Sequence, residues 1–356
     1  MEEFTPQHLP EIRNDSSIEN VFIVGLRTHQ SYRVVLFGLF FVTYTVTLTC
    51  NLLIILLVFF TKLSHSPMYV LLSNLSLSEI LFTSNIIPPM LYILLRNGAI
   101  FSLAGCFMQF FLFGIFAVTE SFLLSAMSYD RFLAICKPLH YTLIMGPRLC
   151  VCLILVCWAL AFLIMSITLS AIKTLYFCKD NIIDHFYCDL IPIFKLSCSD
   201  STNVEMVVSF LSSSASVIPF IIIMATYVFI IRAITRISSS KGKEKAFSTC
   251  SSHLGVVSTY YVTLIMVYVV SPGKFVTMNK VLSLLYTVVT PLVNPFIYTL
   301  RNQEINAAIR KTLSSGMKFR FGSTMISRQT LRVRGPQTRR TNAEICHNNP
   351  NSLPGL

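Results

Sequence analysis

The sequence predicts an all-α membrane protein, a bundle of seven transmembrane helices followed by a short amphipathic helix on the inner leaflet. Of its 356 residues, 54% are hydrophobic and only 12% are charged, whereas soluble domains are roughly 25% charged. Five stretches contain no Asp, Glu, Lys or Arg and reach the ~20 residues that cross a bilayer. Two more apolar stretches carry one acid each, Glu79 and Glu120. The seven predicted spans are residues 34–61, 68–95, 103–128, 149–172, 206–231, 246–272 and 281–300.

The distribution of basic residues predicts the orientation of the chain. Most of the 28 Lys and Arg residues fall on one side of the predicted spans, above all in the loop at 232–245. Because basic loops stay in the cytoplasm, we expect a multi-pass plasma-membrane protein with its N-terminus outside and its C-terminus inside. The net charge of +12 follows from this asymmetry and a basic tail, so the expected partner is the lipid bilayer and not nucleic acid.

The chain divides into three parts. Residues 1–30 form an acidic extracellular tail, in which Asn14 begins a glycosylation sequon. Residues 31–312 form the seven-helix domain, and the amphipathic helix is expected at 301–311. Residues 313–356 form a basic cytoplasmic tail, which is predicted to be disordered.

Prolines mark two places where a span should deviate from a regular helix. Pro88 and Pro89 predict a kink or an end in the second span, because proline has no backbone N–H. In the seventh span, Pro295 removes a helix hydrogen bond and Asn294 is placed to compensate. The seventh span therefore contains a candidate hinge.

Glu79 and Glu120 are acids well inside the predicted spans, so they should face the bundle interior. Two interpretations remain open for them. They form a polar packing cluster with Asn51 and Asn294, or they form a sodium or proton site that biases the conformational state. No other cofactor or metal ion is expected.

Four cysteines are predicted on the oxidising side of the membrane. Cys178, Cys188 and Cys198 lie in the long loop after the fourth span, and Cys106 lies at the start of the third. Four such cysteines suggest two disulfides, and the spacing permits three pairings. The alternative is a single bridge.

The pair Asp130-Arg131 lies at the inner end of the third span. Adjacent residues point to different sides of a helix, so the two charges do not simply neutralise each other. Arg131 could face other helices and change partner, or it could be an ordinary arginine that reaches the interface beside a local acid.

Four motifs resemble signatures of the olfactory receptors, a family of rhodopsin-like (class A) G-protein-coupled receptors. Residues 127–141, MSYDRFLAICKPLHY, are similar to MAYDRYVAICxPLxY, with departures at Ser128, Phe132 and Leu133. The others are PMYVLLSNLS at 67–76, KAFSTCSSHL at 245–254 and PLVNPFIYTLRN at 291–302, which resemble PMYxFLxxLS, KAFSTCxSHL and PxLNPxIYxLRN.

The resemblance implies a role for each of several residues. It implies the disulfides Cys106–Cys188 and Cys178–Cys198, with the polar interior of Asn51, Glu79 and Glu120 relaying the conformational change. The family more often has Asp at the position of Glu79. The residues implied for activation and G-protein coupling are Asp130, Arg131, Tyr227, Lys245, Asn294, Pro295 and Tyr298.

The resemblance also implies an odorant cavity, and the residues constrain what it binds. A retinal-type Schiff base needs a lysine in the seventh span and an amine needs a carboxylate at 103–119, and the sequence has neither. The class of ligand that remains is a small, neutral, mostly apolar volatile molecule, oriented by Tyr or Thr hydroxyls. The residues expected to line the cavity are Phe113, Gly114, Ala117, Val118, Leu211, Tyr261, Leu264, Tyr268 and Thr287.

The function implied is that of an odorant receptor that activates a stimulatory, olfactory-type heterotrimeric G protein and raises cyclic AMP. A chemoreceptor of the same family with a non-olfactory role is the alternative within receptors. A transporter is the alternative from another class, but the chain shows no internal repeat or paired broken helices. An enzyme is not expected, because the sequence has no paired catalytic carboxylates on loops and no phosphate-binding loop.

Overall fold

Long helices dominate the computed structural model, which describes residues 18–178, 180–266, 276–301 and 304–311. The sequon at Asn14, the cavity candidate Tyr268 and the tail at 313–356 lie outside these described residues. The chain divides into two units, Met1–Ala308 and Ile309–Leu356. Of the second unit, the described part is the helical segment 309–311.

The helices follow the predicted spans closely, with most ends extended into polar sequence. A π-helical turn, Leu285–Val289, joins the helix Val276–Leu284 to the helix Thr290–Arg301, so the seventh predicted span contains one widened turn. Residues 304–311 are also helical, with Ile305 buried beside exposed charged residues, as expected for an amphipathic helix. A short 3-10 helix, Lys62–His65, follows the first long helix. The other helices of the described chain are α1 (Gln30–Phe60), α2 (Pro67–Arg96), α3 (Leu103–Cys136), α4 (Pro138–Ile144), α5 (Pro147–Ile172), α6 (Leu190–Lys195), α7 (Thr202–Arg236), α8 (Ser240–Ile265), α9 (Val276–Leu284) and α10 (Thr290–Arg301).

The outer surface of the bundle is apolar. Six helices of the described chain are long and apolar enough to cross a membrane. In this count Met278–Thr299, which runs through α9, the π-helical turn and α10, is one helix. The remaining long helix, α8, begins in the basic loop, and the structure describes it only as far as Met266. Large apolar side chains such as Phe59 and Phe60 are 75% exposed. A surface of this kind is compatible with lipid and not with water.

Helix α3 lies at the centre of the bundle. It contacts α2, α5, α7 and α8. In its most apolar stretch 67% of the residues are buried, against 22% in α5. Because lipid is as apolar as the helix interior, this association depends on close packing and interhelical hydrogen bonds.

Helix α2 does not end at Pro88 and Pro89 but continues to Arg96. Since Pro89 has no N–H, the carbonyl of Asn85 loses its helical partner. The side chain of Gln109 on α3 replaces it, with Nε2 donating to Asn85 O at 3.1 Å. In return, Asn85 Nδ2 donates to Gln109 O at 2.9 Å. This exchange replaces the bond lost at Pro89, and because the helix continues to Arg96 the predicted termination is wrong.

Both disulfides implied by the family resemblance are present, and the pairing is confirmed. Cys106 at the start of α3 is bonded to Cys188, and Cys178 is bonded to Cys198. The backbone N–H of Cys188 also donates to Gln109 Oε1 at 2.9 Å. The loop is therefore fixed to α3 at two neighbouring points. We call this end of the bundle the disulfide end, and the opposite end of α3 the Arg131 end.

A three-stranded sheet also lies at the disulfide end. Strand β1 (Asn20–Ile23) lies in the middle, antiparallel to β2 (Ala99–Ser102) and parallel to β3 (Ile182–Ile183). Asn97 (φ 58°) and Gly98 (φ 112°) form the left-handed turn between α2 and β2. The segment before α1 is therefore paired with two loops, which was not anticipated from its polar sequence.

Candidate functional site

A cavity of about 480 Å³ lies among α3, α5, α7, α8 and the π-helical turn. Residues that directly follow Cys188 in the chain form part of its wall, so it lies toward the disulfide end. Its lining consists of Phe110, Phe113, Gly114, Ala117, Val118, Ser121, Ile164, Met165, Thr168, Asp189, Leu190, Ile191, Ser209, Ser212, Ser213, Ala215, Ser216, Val217, Phe220, Tyr260, Tyr261, Leu264, Ile265 and Tyr286.

One wall of the cavity is aromatic. The rings of Phe113 and Tyr286 meet edge-on with centroids 6.2 Å apart, and Tyr260 meets Tyr286 at 6.1 Å. The hydroxyl of Tyr260 donates to the backbone carbonyl of Ala117 at 2.9 Å. This wall therefore presents the apolar faces and edges of the rings to the cavity. The Tyr260 hydroxyl is already bonded to the backbone of α3.

A hydroxyl pair lies deeper in the cavity. The hydroxyls of Ser121 and Tyr261 are 2.9 Å apart. Ser121 Oγ also lies 3.3 Å from the carbonyl of Ala215, to which it donates. That carbonyl is free because Pro219, four residues later, has no N–H. The proline of α7 thus produces a contact between α3 and α7 at the cavity.

Asp189 is the charged residue of the cavity lining, which the expected lining did not contain. Its side chain caps α6, with Oδ1 accepting from Leu190 N at 2.8 Å and Oδ2 from the Tyr187 hydroxyl at 3.2 Å. Asp189 is buried and directly follows Cys188, which is bonded to Cys106 of α3. Its oxygens are engaged by the protein itself.

The structure brings most of the predicted lining residues together. Leu211 and Thr287 are not in the lining. The widened turn places Tyr286 in the cavity wall where Thr287 was expected. Thr287 Oγ1 donates to Ser283 O at 2.8 Å. The predicted residues found in the lining are Phe113, Gly114, Ala117, Val118, Tyr261 and Leu264.

Sequence reasoning missed a row of serines on α7. Ser209, Ser212, Ser213 and Ser216 all line the cavity. Their spacing of three, four and seven residues places them on one helix face. This spacing is visible in the sequence and could have identified the face of α7 that lines the cavity.

The buried polar residues of the spans form a cluster around Glu79. Asn294 Nδ2 donates to Glu79 Oε1 at 2.7 Å, and the Asn51 amide also lies beside that carboxyl. We expected Asn294 to compensate for the helix hydrogen bond that Pro295 removes, but its amide bonds to Glu79 of α2 instead. Glu120 is buried nearby with Oε1 unpaired among the described residues. Both packing and ion binding stay predictions for this cluster.

At the Arg131 end, Asp130 is fully buried and accepts a hydrogen bond from the Tyr141 hydroxyl at 2.9 Å. Arg131 Nε lies 3.9 Å from Asp130 Oδ2, so the adjacent charges come closer than expected but form no hydrogen bond. The buried carboxylate of Asp130 raises the pKa of Tyr141 in the connecting helix α4, in addition to the effect of burial. Tyr141 therefore remains a neutral donor.

A second set of bonds joins three helices near Arg131. The Tyr227 hydroxyl lies 2.8 Å from His253 Nδ1, and His253 Nε2 lies 3.1 Å from the carbonyl of Leu124. The hydroxyl of Tyr298 is buried and unpaired among the described residues. The side chain of Lys245 lies outside the described residues. α7, α8 and α3 are thus bonded together at the end where Arg131 lies.

The helices are arranged in the seven-helix fold of rhodopsin. The structure is similar to the crystal structure of squid rhodopsin, with a TM-score of 0.66 over 81% of this chain and 82% of that one, at 18% sequence identity.

The family follows from the sequence comparisons. A family model described as olfactory receptor matches residues 40–316. Olfactory receptor 1E16 of Mus musculus is 42% identical over 300 residues, covering 84% of this chain and 96% of its own. Olfactory receptor 1E1 of Homo sapiens is 41% identical over 308 residues, covering 86% and 98%. The chain belongs to the olfactory receptor family, whose members are receptors and not enzymes, and it is a multi-pass membrane protein.

Proposed function

We propose that the chain binds a small, neutral, mostly apolar volatile molecule in the cavity and then activates a stimulatory G protein of the olfactory type, raising cyclic AMP. The observation that carries this proposal is the shared helix α3. Ala117 lines the cavity and Arg131 lies 14 residues further along the same helix, about 20 Å away at 1.5 Å per residue. One rigid element thus connects the ligand site with the proposed coupling site.

The chemistry of the cavity supports a neutral ligand. Among its lining residues there is no Lys or Arg, and the carboxylate of Asp189 is occupied by Leu190 N and the Tyr187 hydroxyl. A charged ligand would lose its hydration without gaining a counter-ion. The volume of about 480 Å³ falls in the usual range of about 300–1,000 Å³ for small-molecule sites.

Orientation follows from the same arrangement. The disulfide end faces the outside, where disulfides form and persist. The Arg131 end then faces the cytoplasm, together with α4 and the basic loop between α7 and α8. Volatile ligands would reach the cavity from the outer side, and the G protein would meet Arg131 from within.

Activation is a shift between two arrangements of the helices. In the structure, the bonds of Tyr227 and His253 fix α7 and α8 against α3. A ligand that binds better when α8 has moved outward shifts the population toward that state. Breaking these bonds would expose Arg131 to the G protein, with the cluster of Asn51, Glu79 and Asn294 linking the rearrangement to α10.

A cyclic AMP reporter assay in cells tests the proposal directly. A panel of volatile compounds should include some that raise cyclic AMP in cells expressing this chain and not in cells carrying the empty vector. Absence of any response, at verified surface expression and with a stimulatory olfactory-type α subunit present, would contradict the proposal. Uptake of a labelled solute without a cyclic AMP signal would indicate a transporter.

A further inference from the structure

Two pairs of residues border the cavity where α7 meets α8. The rings of Phe220 on α7 and Tyr261 on α8 lie with centroids 4.8 Å apart, and both residues line the cavity. One turn nearer the disulfide end, the lining contains Val217 of α7 and Ile265 of α8. The two helices run in opposite directions, so Val217 and Ile265 lie at about the same depth. We call these four residues the α7–α8 seam.

Val217 lines the cavity although it lies on the outward side of α7. Its neighbours two positions away, Ala215 and Pro219, are buried, and the carbonyl of Ala215 accepts a hydrogen bond from Ser121 of α3. Positions two residues apart in an α-helix point about 200° apart, so Val217 points away from α3. Its side chain is 51% exposed. The cavity therefore extends around α7 toward the outer surface of the bundle.

The residues of α8 show the same opening. Tyr261, which packs against Phe220, is 5% exposed, whereas Ile265, one turn further along the same side of α8, is 45% exposed. The close contact between the two helices thus ends above Phe220 and Tyr261. At the level of Val217 and Ile265 the cavity reaches the apolar outer surface that suits lipid.

The outer end of the cavity is covered, in contrast, by the loop after α5. Residues 189–191 of this loop line the cavity. Tyr187 is fully buried, and its ring lies 5.3 Å from that of Phe113 in the aromatic wall. Two disulfides hold the loop in place. A molecule coming directly from the water would have to displace this cross-linked layer, whereas the seam is bordered by apolar side chains.

The bilayer is also where a ligand of the proposed class is most concentrated. Each methylene group of a neutral molecule raises its concentration in the membrane about fourfold relative to water. Val217, Phe220 and Ile265 present hydrocarbon to such a molecule, so it passes from lipid to the cavity without meeting a charged group at these positions. The seam thus offers the molecule a continuous apolar path.

We infer that the ligand enters and leaves the cavity from the bilayer, through the α7–α8 seam, and not through the loop that covers the outer end. The inference rests on the proposed ligand cavity and adds the route to it. The ligand arrives from the outer side of the membrane, dissolves in the bilayer and passes between Val217 and Ile265. These two side chains then set the rates of entry and exit.

The test measures how fast reagents reach a cysteine inside the cavity, in the full chain in cell membranes. Ala117→Cys places a thiol in the lining on α3, and Ser212→Cys provides a second position. The probes are N-cyclohexylmaleimide, which is neutral and dissolves in lipid, and 2-(trimethylammonium)ethyl methanethiosulfonate, which is permanently charged and is added outside. Mass spectrometry of each peptide gives the labelling rate. Native Cys152 is exposed and does not line the cavity, so it reports the reagent in the membrane.

The cavity cysteine is then combined with changes at the seam. Val217→Trp and Ile265→Trp should each slow labelling by the maleimide about 10-fold or more, because the ring must move aside before the reagent passes. Val217→Ala widens the seam and should accelerate labelling. Ile218→Trp is the matched control, because Ile218 is exposed on the same helix but does not line the cavity. Its rate, and the rate at Cys152 in every variant, should stay unchanged.

The possible outcomes separate the route from the receptor function. Equal rates in Val217→Trp, Ile265→Trp, Val217→Ala and the parent would overturn the inference. Faster labelling by the charged reagent than by the maleimide would overturn it too, as would no labelling by the maleimide at either cavity position. The proposed function stands in each of these cases, since it fails only if no volatile compound raises cyclic AMP in the reporter assay.

Discussion

Replacing Lys280 should loosen the disulfide end of the bundle. Its Nζ lies 2.6 Å from Asp184 Oδ1 and donates to Gly25 O at 2.8 Å. These bonds connect α9 with the loop after α5 and with the segment between β1 and α1. The Lys280 side chain is 9% exposed and that of Asp184 is 40% exposed. Lys280→Met keeps the apolar stem and removes both bonds.

The magnitude follows from the burial of the two partners. A hydrogen bond to a charged group contributes roughly 1.5–3 kcal/mol. Because Asp184 is partly exposed, water can solvate its carboxylate once Lys280 is gone. We therefore expect a net loss of about 2–3 kcal/mol in the free energy of unfolding. For a chain of 356 residues, with an unfolding entropy of about 2.1 cal/mol/K per residue, that lowers the Tm by roughly 3–4 °C.

The assay is thermal unfolding of the detergent-purified receptor, with surface expression in cells as a second readout. Arg27→Met is the matched control, because Arg27 lies 3.9 Å from the same carboxylate but is 73% exposed. Exposed pairs of this kind contribute little, so its Tm should change by less than about 2 °C. Equal Tm values for wild type, Lys280→Met and Arg27→Met would refute the reasoning.

Three further predictions concern the loop and the cavity. Gln109→Leu leaves the N–H of Cys188 without its acceptor and should cost about 2–3 kcal/mol, measured as a lower Tm with both disulfides intact by mass spectrometry. Burial and the nearby positive charge of Lys280 lower the pKa of His185 to about 3, so its contribution to stability is present above pH 6.5 and lost as the pH falls toward 3. Between pH 7 and 5 that loss should be on the order of 2 kcal/mol, and His185→Phe should abolish it; a Tm that changes equally with pH in both proteins would contradict this. Gly114→Val would displace the terminal methyl of Met165 into the cavity, so larger agonists should lose potency more than smaller ones at unchanged surface expression.

The helices could be predicted because five spans contain no charged residue and the other two contain a single acid each, Glu79 and Glu120. The ends of the helices could not be predicted. Polar residues such as those around Thr202 and Arg236 continue a helix once packing has fixed its apolar part. The continuation of α2 through Pro88 and Pro89 depends on Gln109, which is 20 residues further along the chain. No local pattern contains that information.

Much of the cavity could also be predicted, because the family resemblance implied six residues of its lining, among them Phe113 and Ala117. The presence of Tyr286 in the cavity wall, where Thr287 was expected, could not be predicted. It arises from a widened backbone turn and not from a residue pattern. The entry of Asp189 into the wall depends on the tertiary path of the loop after Cys188. The serine face of α7, by contrast, has a periodic signal in the sequence.

The central claim is that a ligand in the cavity is detected through Arg131 at the other end of α3. The most direct measurement is the cyclic AMP response of Arg131→Ala to an agonist found with the wild type, at equal surface expression. Arg148→Ala, an exposed basic residue near the start of α5, serves as the control. We predict that Arg131→Ala loses the response while Arg148→Ala retains it. A full response in Arg131→Ala would contradict the account.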